Sequence, residues 1–200
     1  NISGDDIEQL KTSVSMNQLA GFSQQQFSVD EVLELGQGKP PADSIVRSDA
    51  YIVPDSCKIA AGKLMAQGQV NVRFLYMAAG ENPALETMEY TIPFSQMLDC
   101  SGADEECLCS VKMEVSNIEA QVKSDYQGDK SYFDTQVKIH ASVEAYRKTN
   151  ITIVNDAFSR KYDINIDERQ KTVESLAEVL EDTLMHKAQI GMEDNQVSKV

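Results

Sequence analysis

Four cysteines are the most reactive side chains in this sequence: Cys57, Cys100, Cys107 and Cys109, the last three spaced C-x6-C-x-C. Zinc sites pair their ligands in short C-x2-4-C knuckles with His or Cys partners. The two histidines, His140 and His186, are not spaced to complete such a set. The pattern predicts reduced thiols beside a loop, as a reducing cytoplasm would keep them. A disulfide and a metal site are the alternatives that the spacing leaves open.

The carboxylates give one near-motif. Asp163-x-Asn165-x-Asp167-Glu168 has the opening of a calcium loop, with Glu174 at the twelfth position. The sixth position is Glu168, where the loop's sharp turn requires glycine. Ile164 and Ile166 alternate with these acids, so a solvated strand face is the better account. Asp104-Glu105-Glu106 reads as solvated charge, with weak cation binding as the alternative. The sequence holds no G-x-S-x-G, no P-loop and no H-E-x-x-H. His140 falls on the polar side of an alternating segment, and His186 falls late in a helical pattern, where a cation suits the dipole. No acid, base and nucleophile converge, so the expectation is a non-enzymatic protein with no catalytic residue, cofactor or metal. Tyr126, Tyr132 and Tyr146 form a candidate interaction surface, because tyrosine is favoured at interfaces; a core role is the alternative. Open strand edges are a second route to a partner.

Composition narrows the partners. Lys plus Arg number 18 and Asp plus Glu 32 in 200 residues, a net charge of −14. Such a chain repels nucleic-acid phosphates and anionic lipid. No apolar run is long enough to span a membrane as a helix. Protein partners remain, and the sequence does not fix an oligomeric state.

The elements that must position these residues are mostly strands. Lys63–Leu98 is the clearest: Val70, Val72, Phe74 and Tyr76 alternate with Gln69, Asn71 and Arg73, the mark of a half-buried strand. Gly80, Asn82 and Pro83 supply a turn, and Glu86–Ile92 makes the return strand. Pro93 ends that strand or makes it an edge, with Phe94 plugging the end of the core. Ala42–Val53 is a strand stopped at Pro54, and Cys57, Ile59 and Ala61 alternate in a short one before a turn at Ala61-Gly62. Val111, Met113 and Val115 alternate on odd positions and Ile118, Ala120 and Val122 on even ones, so a bulge falls near Ser116-Asn117. Phe133 through Ala145 keep one parity and pair with the preceding strand around 125–130. Residues 151–154 and 162–166 read as further short strands. Asp5 and Asp6 are placed to cap a short N-terminal helix carrying Ile7 and Leu10. Val173, Leu176, Val179, Leu180 and Leu184 predict a second helix within 172–190. The fold class is mainly β: an antiparallel β-sandwich module with short helical segments at the N-terminus and C-terminus.

Gly21-Phe22-Ser23 with Phe27-Ser28-Val29 is echoed by Ala157-Phe158-Ser159 with Tyr162-Asp163-Ile164. The expected organisation is an N-terminal segment at 1–21 and a β module at 22–157. Residues 158–200 are then either the start of a second copy or a C-terminal strand and helix.

Several stretches resemble one family: Phe27-Ser28-Val29, Lys39-Pro40 before Ile45, Gly68 ahead of Val70, Phe74-Leu75-Tyr76, Ile92-Pro93-Phe94, and Asn155-Asp156-Ala157-Phe158-Ser159 with Tyr162. In this order they resemble the SPOCS domain of spore-envelope proteins in clostridia and related spore formers, over about residues 23–170. The resemblance implies a non-catalytic structural and protein-interaction module in spore coat or envelope assembly. It would lie on the mother-cell side of the forespore surface, in the cytoplasm, with spore coat proteins as partners. Relatives often carry two or three modules and a LysM domain, and some bind a coat ATPase. No LysM pattern stands in these residues, so neither contact is carried over. The cysteine cluster is not a feature of the resemblance. A carbohydrate-binding or cell-surface adhesion module is the alternative, on fold analogy alone.

Overall fold

In the computed structural model, residues 6–126, 128–167, 169–170, 172, 174, 176–178, 180 and 184 are described. Six strands follow one another: β1 (Ile7–Glu34), β2 (Ala42–Ala60), β3 (Lys63–Ala78), β4 (Leu85–Asp99), β5 (Leu108–Lys123) and β6 (Tyr132–Ser159). They make two three-stranded antiparallel sheets, ordered β1-β6-β5 and β2-β3-β4. The sheets face one another, with β2 against β5 along one side and β4 against β1 along the other.

Alternation decides the packing. In β3 the even positions Leu64, Ala66, Val70, Val72, Phe74 and Tyr76 are buried, and in β6 the odd positions Phe133, Val137, Ile139, Ala141, Val143 and Ala145 are buried. These two central strands meet through their rings: Phe133 lies 4.9 Å from Phe74 and 5.5 Å from Tyr76, both edge to face. A second cluster fills the other end around Leu64, Leu98, Cys100, Cys107 and Val143. Polar links join the sheet edges. The Tyr90 hydroxyl donates to the Glu34 carbonyl at 2.6 Å, and the Gln25 side chain both donates to the Asp99 carbonyl (2.8 Å) and accepts from its N–H (3.1 Å).

The turns follow residue chemistry. Ala61 and Gly62 both have positive φ, 48° and 76°, the two-residue connection that suits a twisted hairpin. The parity change in β5 is absorbed between Val115 and Asn117, and Ser116, left out of the ladder, donates its hydroxyl to the Lys138 carbonyl.

Several expectations are corrected. No described residue is helical. Ile7 and Leu10 stand in β1, opposite Ser159 and Asp156; two apolar residues three apart do not outweigh a complete ladder with β6. Of the C-terminal helix expected at 172–190, the described residues carry no helix, Leu180 and Leu184 are exposed, and the others, His186 among them, lie outside the described residues. Pro54 does not stop β2; it sits where the register with β3 slips, between Pro54 and Ser56, and a bulge needs no donor there. Of the two outcomes expected at Pro93, the edge is the one found: β4 runs on through it and pairs only with β3, so proline's missing N–H is tolerated in an edge strand. Residues 151–154 are part of β6 rather than a separate strand, and 162–166 carry no strand pairing. Phe94 does not plug an end. It lies across Gly68, where an added Cβ would meet its ring at 3.0 Å and the Val53 carbonyl at 2.8 Å.

If the inter-sheet rings carry the core, Phe133→Ala should lower unfolding free energy by about 3–5 kcal/mol. A double-mutant cycle with Phe74→Ala should show roughly 1 kcal/mol of coupling. Urea titrations check both, and additive losses would mean that the rings are neighbours without mutual stabilisation.

Candidate functional site

The fold gathers the four cysteines at one end of the sandwich. Cys57 lies near the end of β2, Cys100 just after β4, and Cys107 and Cys109 at the start of β5. Spacing alone hid this, because Cys57 arrives from a different hairpin. None of the four is in a disulfide. Cys100 and Cys107 are buried and Cys57 is exposed. Burial, and then the neighbouring sulfurs of Cys100, Cys57 and Cys107, push the Cys109 thiol up to about 12. Burial first and Cys107 second raise Cys100. Such thiols stay protonated and are poor nucleophiles. Cys107 donates to the Asp104 carboxylate at 3.2 Å. That bond, ahead of the Arg147 charge, holds Asp104 below the usual carboxylate range. Among the described residues no group of three or more His, Cys, Asp or Glu side chains is arranged to hold a metal.

The loop between β4 and β5 packs flush on β1. Gly102 has φ +91°, and a Cβ there would lie 2.3 Å from the Ala20 carbonyl. At the same point Ala20 drops out of the ladder, between Leu19 and Gly21.

The other predicted residues are dispersed. Tyr126 is fully exposed in the turn before β6. Tyr132 begins β6, and Tyr146 lies fourteen positions on, roughly 45 Å away at strand rise. Tyr132 and Tyr146 share the outward parity of the sheet at opposite ends, so the three do not make one patch. The Tyr146 hydroxyl donates to Glu144 at 2.7 Å. His140 is exposed on the same outer face. Asp163, Asn165 and Asp167 are exposed without strand pairing.

Sequence reasoning missed the most distinctive feature. β5 leaves β6 at Leu108, opposite Tyr146, but β6 continues to Ser159 with β1 alone beside it. Residues 7–19 and 147–159 therefore form a two-stranded ribbon beyond the sandwich, roughly 40 Å long. Asn150 to Asp156 are exposed one after another, and Leu10, Val14, Ile151, Ile153 and Phe158 are exposed apolar residues along it. On the β1 side, the Asn17 amide donates to the Leu176 carbonyl at 2.7 Å. The signal was present as the unbroken β-branched run Ile151–Val154, read as a short strand because its partner is about 140 residues away.

A sharp pH response follows from the buried hydroxyl and thiol. Cys109 ordinarily titrates at 9.0 and Tyr90 at 10.0; each rises to about 12 in the fold, mainly through burial. The unfolded chain therefore loses these protons first as pH rises. Stability held below pH 9 should be lost progressively between pH 9 and about 12. The urea midpoint should fall across that window, and Cys109→Ala with Tyr90→Phe should flatten the fall; identical slopes for variant and parent would contradict the assignment.

Residues 41–123 match the family model described as SipL, SPOCS domain. The match runs from β2 through β5 and contains Ile45, Gly68, Phe74-Leu75-Tyr76 and Ile92-Pro93-Phe94. Phe27-Ser28-Val29, Lys39-Pro40 and Asn155–Ser159 lie outside it. No curated protein and no solved structure matches the chain.

Proposed function

We propose, from the SPOCS domain that residues 41–123 match, that this chain is a non-catalytic protein-interaction module in assembly of the spore coat or envelope, working on the mother-cell side of the forespore surface. The family match is the observation that carries the reading. The surface supports it: charged groups pair with neighbours at the exterior, as Lys39 does with Glu86 and Lys138 with Glu119, while apolar side chains are exposed along the ribbon. Such exposed apolar stretches mark contact sites. The Cys100 and Cys109 thiols are held in their protonated form by burial. No helix among the described residues is long and apolar enough to cross a membrane.

The carbohydrate reading gains no support. Three surface clefts, between β2 and β5, at the base of the ribbon and on the outer face near Asp30, have no aromatic ring in their lining, whereas sugar sites stack their ligand on exposed rings.

The protein used as bait in lysate from sporulating cells should retain coat proteins, identified by mass spectrometry, and retain none from vegetative lysate. Recovery of the same set from both, or of no coat protein, would overturn the reading.

A further inference from the structure

We propose that the open edge of β6 is a self-association surface on which a second copy of this chain pairs antiparallel, joining two ribbons into one four-stranded sheet. The proposal goes beyond the assignment to spore assembly and does not depend on it.

The edge itself is the first observation. Among the described residues, β6 from Arg147 to Ser159 has a partner on one side only. Thr149 to Asn155 is uncharged, free of proline and glycine, and rich in β-branched residues. Segments of that composition pair readily with their own kind. Soluble proteins guard long edges with lysine, proline or bulges. The sandwich edges here are guarded in this way, by Pro54 in β2, Pro93 in β4 and the bulge at Ser116 in β5; on the β6 arm the ladder slips only at Asn155, and Thr149–Val154 carries neither lysine nor proline.

Charge selects the occupant. Residues 6–20 and 146–161 hold five basic side chains (Lys11, Arg147, Lys148, Arg160, Lys161) against three acidic ones (Asp6, Glu8, Asp156), a balance of +2. The sandwich, residues 21–145, holds nine basic against nineteen acidic side chains, a balance of −10, and residues 162–200 carry a further −5. Two copies repel one another through their sandwiches and meet without that repulsion along their ribbons. Among the described residues the C-terminal stretch touches the opposite edge, at Asn17 in β1.

The geometry closes. Overlap of residues 147–159 with the same residues of a second copy puts Ile153 on a two-fold axis, an isologous contact in which each copy gives what it receives. The ribbon tip, with Arg160 and Lys161, then reaches the base of the other ribbon. A cleft there is lined by Gln18, Leu19, Ala20, Gly102, Arg147 and Thr149, beside the acidic loop Asp104-Glu105-Glu106. Basic tip and acidic loop meet twice by symmetry.

Sedimentation of the purified chain should show a monomer–dimer equilibrium below about 100 µM, the range expected of a contact smaller than a standard interface. Ile153→Lys should raise the dissociation constant at least tenfold and leave the thermal midpoint of the sandwich unchanged. Ile153→Cys, oxidised with copper phenanthroline, should give a covalent dimer far above the level of the parent chain or of Thr91→Cys, placed on the distant β4. A monomer throughout, a dimer unaffected by Ile153→Lys, or equal cross-linking at 153 and 91 would overturn the proposal. So would an oxidised Ile153→Cys chain joined only within itself. The measurement uses pure protein, so its outcome is separate from coat-protein capture.

Discussion

The contact on which the structure depends is the meeting of Phe133 with Phe74 and Tyr76 between the central strands of two narrow sheets. Each sheet has three strands, so only β3 and β6 have neighbours on both sides. Their inward parity supplies most of the fully buried side chains. Burial of an aromatic ring removes far more apolar surface than any aliphatic alternative, which matters where the core is only two strands wide. The edge strands contribute partial burial and polar ties, such as Gln25 gripping the backbone of Asp99 from across the gap.

Narrow sheets carry a consequence: four of six strands are edges. The sandwich manages this by position and by residue. β2 and β5 lie against each other, as do β4 and β1, and prolines and bulges interrupt these edge strands at Pro54, Pro93 and Ser116. Past Tyr146, where β5 ends and β6 goes on, that protection thins to Lys148 and to the slip in the β1 ladder at Asn155. A two-stranded ribbon alone is marginal in water. This one is held because both strands are anchored below in the sandwich, at Phe27 and Val29 of β1 opposite Ile139 and Val137 of β6. The anchored half fixes the register, and the exposed half inherits it.

What could be read in advance was whatever is encoded within a few residues. The faces of β3 and β6, the bulge at Ser116 and the turn at Ala61-Gly62 all rest on parity or local turn chemistry. The β1–β6 ladder was not legible, because it joins residues up to 152 apart and β1 is rich in Ser, Gln and Asn, which mask its alternation. Its first residues read as a helix for that reason. Pro54 misled, and Pro93 left two outcomes open, because a proline's effect depends on whether the missing N–H faces a neighbour, which is a property of the sheet and not of the segment. The convergence of Cys57 with the other three thiols was hidden in the same way: the end of β2 meets the β4–β5 connection and the start of β5 only after both sheets have formed. The tyrosines were chosen for residue type, and type carries no information about position along a strand.

The division between sandwich and ribbon also orders the charge. Acidic side chains spread over a compact body keep copies apart at a distance, while a nearly neutral arm reaches beyond the body's own field, since screening at physiological salt acts within about 8 Å and the arm is several times longer. Contact between such molecules is therefore steered to the arm before any specific pairing occurs. The SPOCS match covers β2 to β5, the part that builds one sheet and the acidic loop, whereas the arm is made wholly of β1 and β6. The body can thus remain an inert frame while the arm sets what is met. A change of partner requires new side chains only at Thr149–Val154 and its ladder mates in β1, and leaves the ring contact between the sheets untouched.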